Sequence, residues 1–127
     1  MSDMIHRIST EQVVFTTDNN HPPVLHVSSG DIIIFECRDA LNRAIQKPSD
    51  LPTDLDFDRV NPATGLVYVK DAEPGDTLEV HIEKIDVAGQ GACVIVPGFG
   101  FLAPEFPEPW TRIVPIKGGF AEFEFIA

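Results

Sequence analysis

The segment DTLEVHIEKIDV, residues 76–87, shows the clearest alternation of apolar and polar side chains in the sequence, from Thr77 to Glu83. On an extended chain, Leu78, Val80 and Ile82 would all project to one side, and the polar residues between them to the other. A period of two residues is that of a β-strand with one buried face and does not fit the 3.6-residue period of an amphipathic helix. The pattern predicts a half-buried antiparallel strand and indicates a β-rich fold.

Further short apolar or β-branched stretches, bounded by Gly, Pro and Asp, predict more strands. Residues 31–37, DIIIFEC, form a continuous apolar run, which predicts a strand buried on both faces. Only residues 41–61 accommodate a helix, a short one with Ser49 or Thr53 as its N-cap. The expected fold class is mainly β, a β-sandwich-like arrangement of antiparallel or mixed sheets with one short helix. The other predicted strands are residues 11–17, 23–31, 65–72, 92–98, 111–119 and 120–127.

The size and charge of the chain limit the classes of function. Its 127 residues, 43% of them hydrophobic, predict a single domain, residues 1–127, with a core of its own. No apolar run approaches the roughly 20 residues of a membrane-spanning helix, and the start of the sequence lacks the features of a secretory signal, so a cytoplasmic location is expected. The net charge of −11 argues against nucleic acid and anionic membranes as partners, because both require a basic surface.

The cysteines and histidines show no spacing typical of a metal site. Cys37 and Cys93 lie among apolar neighbours without a CxxC motif, which predicts buried thiols. The four histidines share no HxH or HExxH spacing, and isolated histidines are more often surface or hydrogen-bonded structural residues. The acidic stretch at residues 50–58 lacks the EF-hand pattern, so a solvated loop with helix-capping aspartates is expected there.

The apolar run at residues 31–37 leads into two acidic residues, Glu36 and Asp39. In a straight strand, Glu36 shares a face with Ile34 while Asp39 faces the other way, so a common site requires a bulge or turn between them. Burial of carboxylates without partners is costly. Two interpretations remain open: a cluster of ion pairs at the strand end, with Arg38 as the neutralising partner, or a functional pair of carboxylates.

A weak internal repeat connects two parts of the chain. The segments SSGDIIIFECRD and EPGDTLEVHIEKID both place Gly-Asp before a predicted strand and Glu-x-x-Asp at its end. Glu36 and Glu83 have the same strand parity relative to their turns, because their separations differ by two residues. The alternative is coincidence, since Gly-Asp is a common turn pair; the solvated appearance of the second polar face favours coincidence.

The segment PGFGFLAPEFPEPW, residues 97–110, contains four prolines and four aromatic residues. Proline at this density prevents regular strand pairing, which predicts an extended loop. An ordered loop of this length usually has a functional reason or covers a surface, so its aromatic side chains are expected to pack against another part of the structure.

Three segments together resemble the acetamidase/formamidase family: PPVLHVSSGDIIIFECRDA, DFDRVNPATGLVYVKDAEPGDTLEVHIEKIDV and VPGFGFLAPEFPEP. The resemblance extends from about Ile8 to the C-terminus and is most specific in NPATGLVYVKDAEPGDTLEV. It implies an amidohydrolase that cleaves a small linear amide, formamide or acetamide, to the carboxylate and ammonia. It also implies a homo- or hetero-oligomer and a divalent metal, zinc or calcium.

The same resemblance implies site residues. Glu36 and Asp39 match a recurrent Glu-x-x-Asp, which makes them the catalytic and metal-binding candidates: Glu36 as base or ligand, Asp39 as an orienting group or ligand. Gln46 is the counterpart of a glutamine in a family Gly-Gly-Gln motif and is a substrate-binding candidate. Phe99 and Phe101 are further substrate-binding candidates, in a loop that forms a hydrophobic wall shielding the site or a partner subunit, or that simply caps the core.

Family chains are considerably longer, and this sequence lacks three motifs of their second half: a His-Pro segment, an Asn-x-Asp segment and a glycine-rich His/Asp/Glu segment. The resemblance therefore implies an N-terminal portion, inactive alone, whose partner is the C-terminal half or another subunit. The alternative is a non-catalytic β-domain that binds a partner chain.

Overall fold

The computed structural model describes residues 4–124, which form two compact units. One unit comprises the chain up to Asn42 together with Phe57–Val80, and the other comprises Arg43–Asp56 with the chain from His81 onward. No helix in residues 4–124 is long and apolar enough to cross a membrane. The single domain expected from the chain length stays a prediction.

The first unit is built from three two-stranded sheets. The strands are β1 (Ile5–Ile8), β2 (Val13–Val14), β3 (Leu25–Val27), β4 (Ile32–Phe35), β5 (Ala63–Thr64) and β6 (Val67–Val69). Strands β1 and β4 pair in parallel, as do β3 and β6, whereas β2 and β5 pair antiparallel. Parallel pairing requires a crossover between the two strands, and here the two crossovers interleave along the chain.

Ile8, the last residue of β1, is the centre of the first unit's core and is only 1% exposed. Its side chain packs against Gly65: a Cβ placed on this glycine would lie 2.9 Å from Ile8 Cδ1. The Gly65 backbone has a φ of +71° and donates a hydrogen bond to the carbonyl of Gln12 at 2.6 Å. A glycine is required here both by the left-handed conformation and by the close approach of Ile8.

The second unit contains a three-stranded antiparallel sheet of order β7-β8-β9, formed by Gln90–Ile95, Trp110–Lys117 and Phe120–Ala121. Residues 43–56 are held to this sheet by two hydrogen bonds. Gln90 Nε2 donates to the carbonyl of Gln46 at 3.0 Å, and the buried Thr111 Oγ1 donates to the carbonyl of Asp50 at 2.6 Å. The latter bond satisfies a polar group that would be costly to bury unpaired.

The mainly β fold class is confirmed, although the single short helix is not formed as expected. Two single-turn 3-10 helices, Pro52–Asp54 and Phe57–Arg59, occur instead. The N-cap of the first is Leu51, neither Ser49 nor Thr53, and it is extended at φ −110° and ψ 146°. This is the conformation that a following proline favours, because its ring clashes with a helical residue before it.

The prediction of a half-buried strand at residues 76–87 is wrong. This segment belongs to none of the strands that the structure describes, and its apolar side chains from Leu78 to Val87 are 56–74% exposed. A half-buried strand requires a layer that covers its apolar face. The described residues do not cover this face.

The prediction that residues 31–37 are buried on both faces is also wrong. β4 has β1 as its neighbour in a two-stranded sheet, and Ile32 and Ile34 are 39% and 38% exposed. The expectation of buried thiols fails for the same reason: Cys37 and Cys93 are free and exposed, because no layer of the described chain covers them.

The remaining strand predictions have mixed outcomes. Residues 23–31 and 65–72 contain β3 and β6, as expected, and residues 92–98 and 111–119 overlap β7 and β8, which begin two residues and one residue earlier. Residues 11–17 form only the two-residue β2, and 120–127 form only the two-residue β9 before the chain leaves the described residues after 124.

Asp31 closes the turn that precedes β4 and ties it to β1. Its Oδ2 accepts a hydrogen bond from Ser28 N at 2.9 Å and lies 3.1 Å from His6 Nε2, while Oδ1 accepts one from Met4 N at 3.3 Å. Hydrogen bonds donated by the backbone of Ser28, and next by His6, lower the pKa of the Asp31 carboxyl from its usual value.

Because this pKa is lower in the folded chain than in the unfolded chain, the stabilisation is complete above the unfolded pKa, about 3.9, and is lost as the pH falls through the folded value. We expect Asp31→Asn to lower the urea midpoint at pH 7 and to lower it by less at pH 2.5. Urea unfolding at both pH values checks this, with Asp54→Asn, at an exposed carboxylate, as the control. An equal loss of stability at both pH values would contradict it.

Candidate functional site

Glu36 continues the β1–β4 ladder by one residue beyond β4. Its N–H donates to the carbonyl of Ile8 at 3.0 Å, and its carbonyl accepts from Thr64 Oγ1 at 3.0 Å. In this register Arg7 lies opposite Ile34. Ile34 precedes Glu36 by two residues, so the side chains of Ile34 and Glu36 lie on the same face of the sheet. The Arg7 guanidinium donates to Glu36 Oε1, so both the backbone and the carboxylate of this residue are fixed.

The side chain of Arg38 holds the segment after β4 to the connection between β1 and β2. Its Nε donates to the carbonyl of Thr10 at 2.7 Å, and its two Nη atoms donate to Asn42 Oδ1 at 3.1 Å and Glu11 Oε2 at 3.2 Å. The Arg38 side chain is only 13% exposed. A largely buried guanidinium with three acceptors positions the chain more firmly than a surface ion pair does.

Asp39 forms a turn with the residues that follow it. Its Oδ1 accepts from Leu41 N at 3.0 Å, and its carbonyl accepts from Asn42 N at 2.9 Å. This is the local side-chain bond by which Asp often stabilises turns. An ion-pair cluster therefore exists at the end of the strand. The prediction that Arg38 neutralises Glu36 is wrong, because Arg7 pairs with Glu36 and Arg38 pairs with Glu11.

Gln46 lies in the second unit, and its backbone is fixed. Gln46 N donates to Asp50 Oδ2 at 2.9 Å, a bond that lowers the pKa of the Asp50 carboxyl. Its carbonyl accepts from Gln90 Nε2, while its side chain is exposed. The substrate-binding role of Gln46 stays a prediction.

The loop predicted at residues 97–110 is formed by residues 97–109, although it contains several turns and is not extended throughout, and Trp110 begins β8. The aromatic side chains of this loop are largely exposed: Phe101 is fully exposed and Phe99 is 65% exposed. Ile95 and Phe106 line both of two open cavities of about 450 and 440 Å³ beside the loop. No polar side chain lines the first cavity, to which Phe99 and Phe101 belong.

Residues 4–124 contain no group of three or more His, Cys, Asp or Glu side chains that could hold a metal ion. The metal-binding role of Glu36 and Asp39 stays a prediction. His6 Nε2 lies 3.1 Å from Asp31 Oδ2, and His21 Nε2 lies 2.8 Å from Thr16 Oγ1. The rings of His26 and Tyr68 have centroids 5.1 Å apart and are tilted by 46°.

The sequence interpretation missed Arg7, Glu11 and Thr64, which surround the Glu36 region. Arg7 lies in the four-residue strand IHRI, which is too short for its alternation to be distinctive. Only the parallel register of β1 and β4 brings Arg7 beside Glu36, and no local pattern encodes that register.

The two Gly-Asp turns have the same geometry. Asp31 Oδ2 accepts from Ser28 N and Asp76 Oδ2 accepts from Glu73 N, each at 2.9 Å. Gly30 and Gly75 have φ angles of 93° and 105°, in the region that glycine favours. The sequence echo is therefore also a structural one at the turns, although only the first is followed by a paired strand.

Comparison with known proteins identifies the family of this arrangement. The model of the Acetamidase/Formamidase family matches residues 7–126. The chain belongs to the acetamidase/formamidase family. The matched range contains Glu36, Asp39, Gln46 and the loop at residues 97–110. No match was found among curated proteins.

Solved acetamidase structures have the same fold. The acetamidase from Bacillus halodurans is 38% identical, with a TM-score of 0.88 over 93% of this chain. A predicted acetamidase/formamidase from Thermoanaerobacter tengcongensis is 35% identical, with a TM-score of 0.89 over 97%. The acetamidase from Yersinia enterocolitica is 27% identical, with a TM-score of 0.76 over 91%. This family member spans only about 40% of the length of each of these chains.

Proposed function

We propose that this chain is the N-terminal portion or subunit of an amidohydrolase that cleaves a small linear amide, formamide or acetamide, to the carboxylate and ammonia. The support comes from the family match over residues 7–126 and from acetamidases of 35–38% identity with the same fold. The observation that carries the proposal is the Glu36 carboxylate, fixed at the end of β4 by Arg7 and the strand ladder. We further propose that the enzyme is a cytoplasmic homo- or hetero-oligomer.

In the proposed reaction, Glu36 accepts a proton from water while the water oxygen bonds to the amide carbon. The proton is then passed to the amide nitrogen, the C–N bond breaks, and ammonia leaves. The carboxylic acid that forms loses its remaining proton to solvent and leaves as the carboxylate. Arg7 holds the Glu36 carboxylate in place and balances its charge. Asp39 is proposed to orient the reacting groups from the turn after β4.

The proposed cofactor is a divalent cation, zinc or calcium. Because residues 4–124 contain no cluster of three ligands, Glu36 and Asp39 would be a part of its ligand set and the complementary portion would supply the others. On the substrate side, we propose that the exposed Gln46 amide hydrogen-bonds the substrate and that Phe99 and Phe101 shield the site from water.

Ammonia release from formamide tests this function. We expect none from the 127-residue chain alone, with or without zinc. We expect release when the chain is co-expressed with the part of the Bacillus halodurans acetamidase that it does not match. Ammonia from the isolated chain would overturn the view that the complementary portion supplies essential groups.

The second candidate function is a non-catalytic β-domain that binds a partner chain. The exposed apolar side chains of residues 78–87 and of the loop at 97–110 favour it. This alternative predicts a stable complex that releases no ammonia, with zinc or calcium present or absent.

A further inference from the structure

The second unit exposes a contiguous apolar patch, here called the aromatic surface. Four of its side chains, Phe99, Phe101, Phe106 and Trp110, are between 47% and fully exposed. At about 200 Å² for a whole aromatic side chain, they expose on the order of 500 Å². This is at the upper end of the patches found on ordinary monomers, where such patches are often functional. The aromatic surface consists of Ile95, Phe99, Phe101, Leu102, Phe106 and Trp110.

The aromatic surface is concave and reaches the edge of a sheet. Its two cavities share Ile95, the last residue of β7, and Phe106. Among the strands that the structure describes, β7 has a neighbour on one side only, because the sheet order is β7-β8-β9. A concave apolar patch beside an open strand edge suits a polypeptide segment, which can fill the cavities with side chains and pair with the edge.

A small amide fits this surface poorly. Formamide and acetamide are polar molecules of a few heavy atoms, whereas sites for such ligands contain placed polar groups. The cavity lined by Phe99 and Phe101 has no polar side chain and a volume of about 450 Å³. Those two residues can still shield a site once another segment has covered the patch.

The charges around the aromatic surface indicate the chemistry of the partner. Residues 97–110 contain two carboxylates, Glu105 and Glu108, and no Lys, Arg or His. Both glutamates line the second cavity. A segment with apolar side chains flanked by Lys or Arg is complementary, whereas a second copy would bring another net charge of −11.

We propose that the aromatic surface binds the portion of the family fold that this chain does not span, through an apolar segment flanked by basic residues. The match includes 93–97% of this chain but only 40–41% of these relatives, so the chain keeps the fold of proteins that are about 2.3 times as long. The inference rests on the proposed function in one respect, that a complementary portion accompanies this chain.

The test is co-expression of the tagged chain with the unmatched part of the Bacillus halodurans acetamidase, followed by native mass spectrometry and measurement of the dissociation constant. We expect a one-to-one complex and at least about tenfold weaker binding after Phe101→Ser, because exposed aromatic anchors dominate such interfaces. Phe101→Leu, which keeps an apolar side chain, should bind within about threefold of the wild type. Because Phe101 is fully exposed, the thermal midpoint of the isolated Phe101→Ser chain should match that of the wild type.

Four results would overturn the proposal: no complex, equal binding by wild type and Phe101→Ser, a homodimer of the isolated chain that Phe101→Ser dissociates, or protection of the loop from hydrogen exchange by formamide alone. Ile5→Thr serves as the control because Ile5 is 67% exposed but belongs to β1 in the other unit. A complex that Phe101→Ser weakens but that releases no ammonia would sustain this proposal and refute the proposed function.

Discussion

Glu36→Gln should lower the turnover of formamide by about 10²–10⁴-fold in the assembled enzyme, the range that general-base catalysis contributes. The glutamine amide keeps the size of the side chain and can still accept a hydrogen bond from Arg7, but it cannot take a proton from water. Steady-state ammonia release at saturating formamide checks this prediction.

Glu11→Gln provides a matched control. Glu11 also pairs with an arginine of the first unit, Arg38, but its side chain is 75% exposed and is assigned no catalytic role. We expect its turnover to stay within about twofold of the wild type, because exposed ion pairs contribute little. Unchanged turnover in Glu36→Gln would remove this residue from the chemistry and leave it a structural ion-pair partner of Arg7.

Gly65→Ala should destabilise the first unit by about 2–4 kcal/mol, from backbone strain and overpacking together. The new Cβ would lie 2.9 Å from Ile8 Cδ1 and 3.3 Å from Val24 Cγ2, and the backbone would keep a φ of +71° that alanine rarely adopts. Ile8 can move little, because it is almost fully buried. The free energy of unfolding from urea titration measures the loss.

Gly98→Ala separates the two causes. Gly98 has a φ of +81°, yet nothing lies within 4 Å of an added Cβ. The conformational cost of about 1 kcal/mol is therefore expected there without the packing cost. Equal losses for the two variants would show that the contact with Ile8 contributes nothing.

Local patterns predicted the β class and the positions of β3, β4, β6, β7 and β8, because each of these five strands pairs with a neighbour within the chain. The alternation at residues 76–87 is just as clear but did not predict its structure, since a strand depends on a partner that local sequence does not specify. The two-residue strands β2 and β5 were too short for any pattern to indicate their bounds.

The candidate site shows the same limit. Glu36 and Asp39 could be selected from a strand end and a family motif, but the ion pair with Arg7 follows from the parallel register of β1 and β4. The hydrogen bonds of Arg38 to Thr10 and Glu11 span 28 and 27 positions of sequence. Contacts of this range depend on topology, which one sequence read by its local periodicity does not reveal.

The small number of fully buried side chains has a thermodynamic consequence. The buried apolar core of residues 4–124 consists of Ile8, Val27, Ile45 and Val114. Unfolding of the isolated chain therefore hydrates little new apolar surface, and its heat-capacity increment should lie below the usual ~12–15 cal/mol/K per residue. If the complementary portion covers the exposed apolar side chains, most of the heat-capacity change accompanies association and not the folding of this chain. Stability then becomes a function of partner concentration, by mass action, rather than a property of this chain alone.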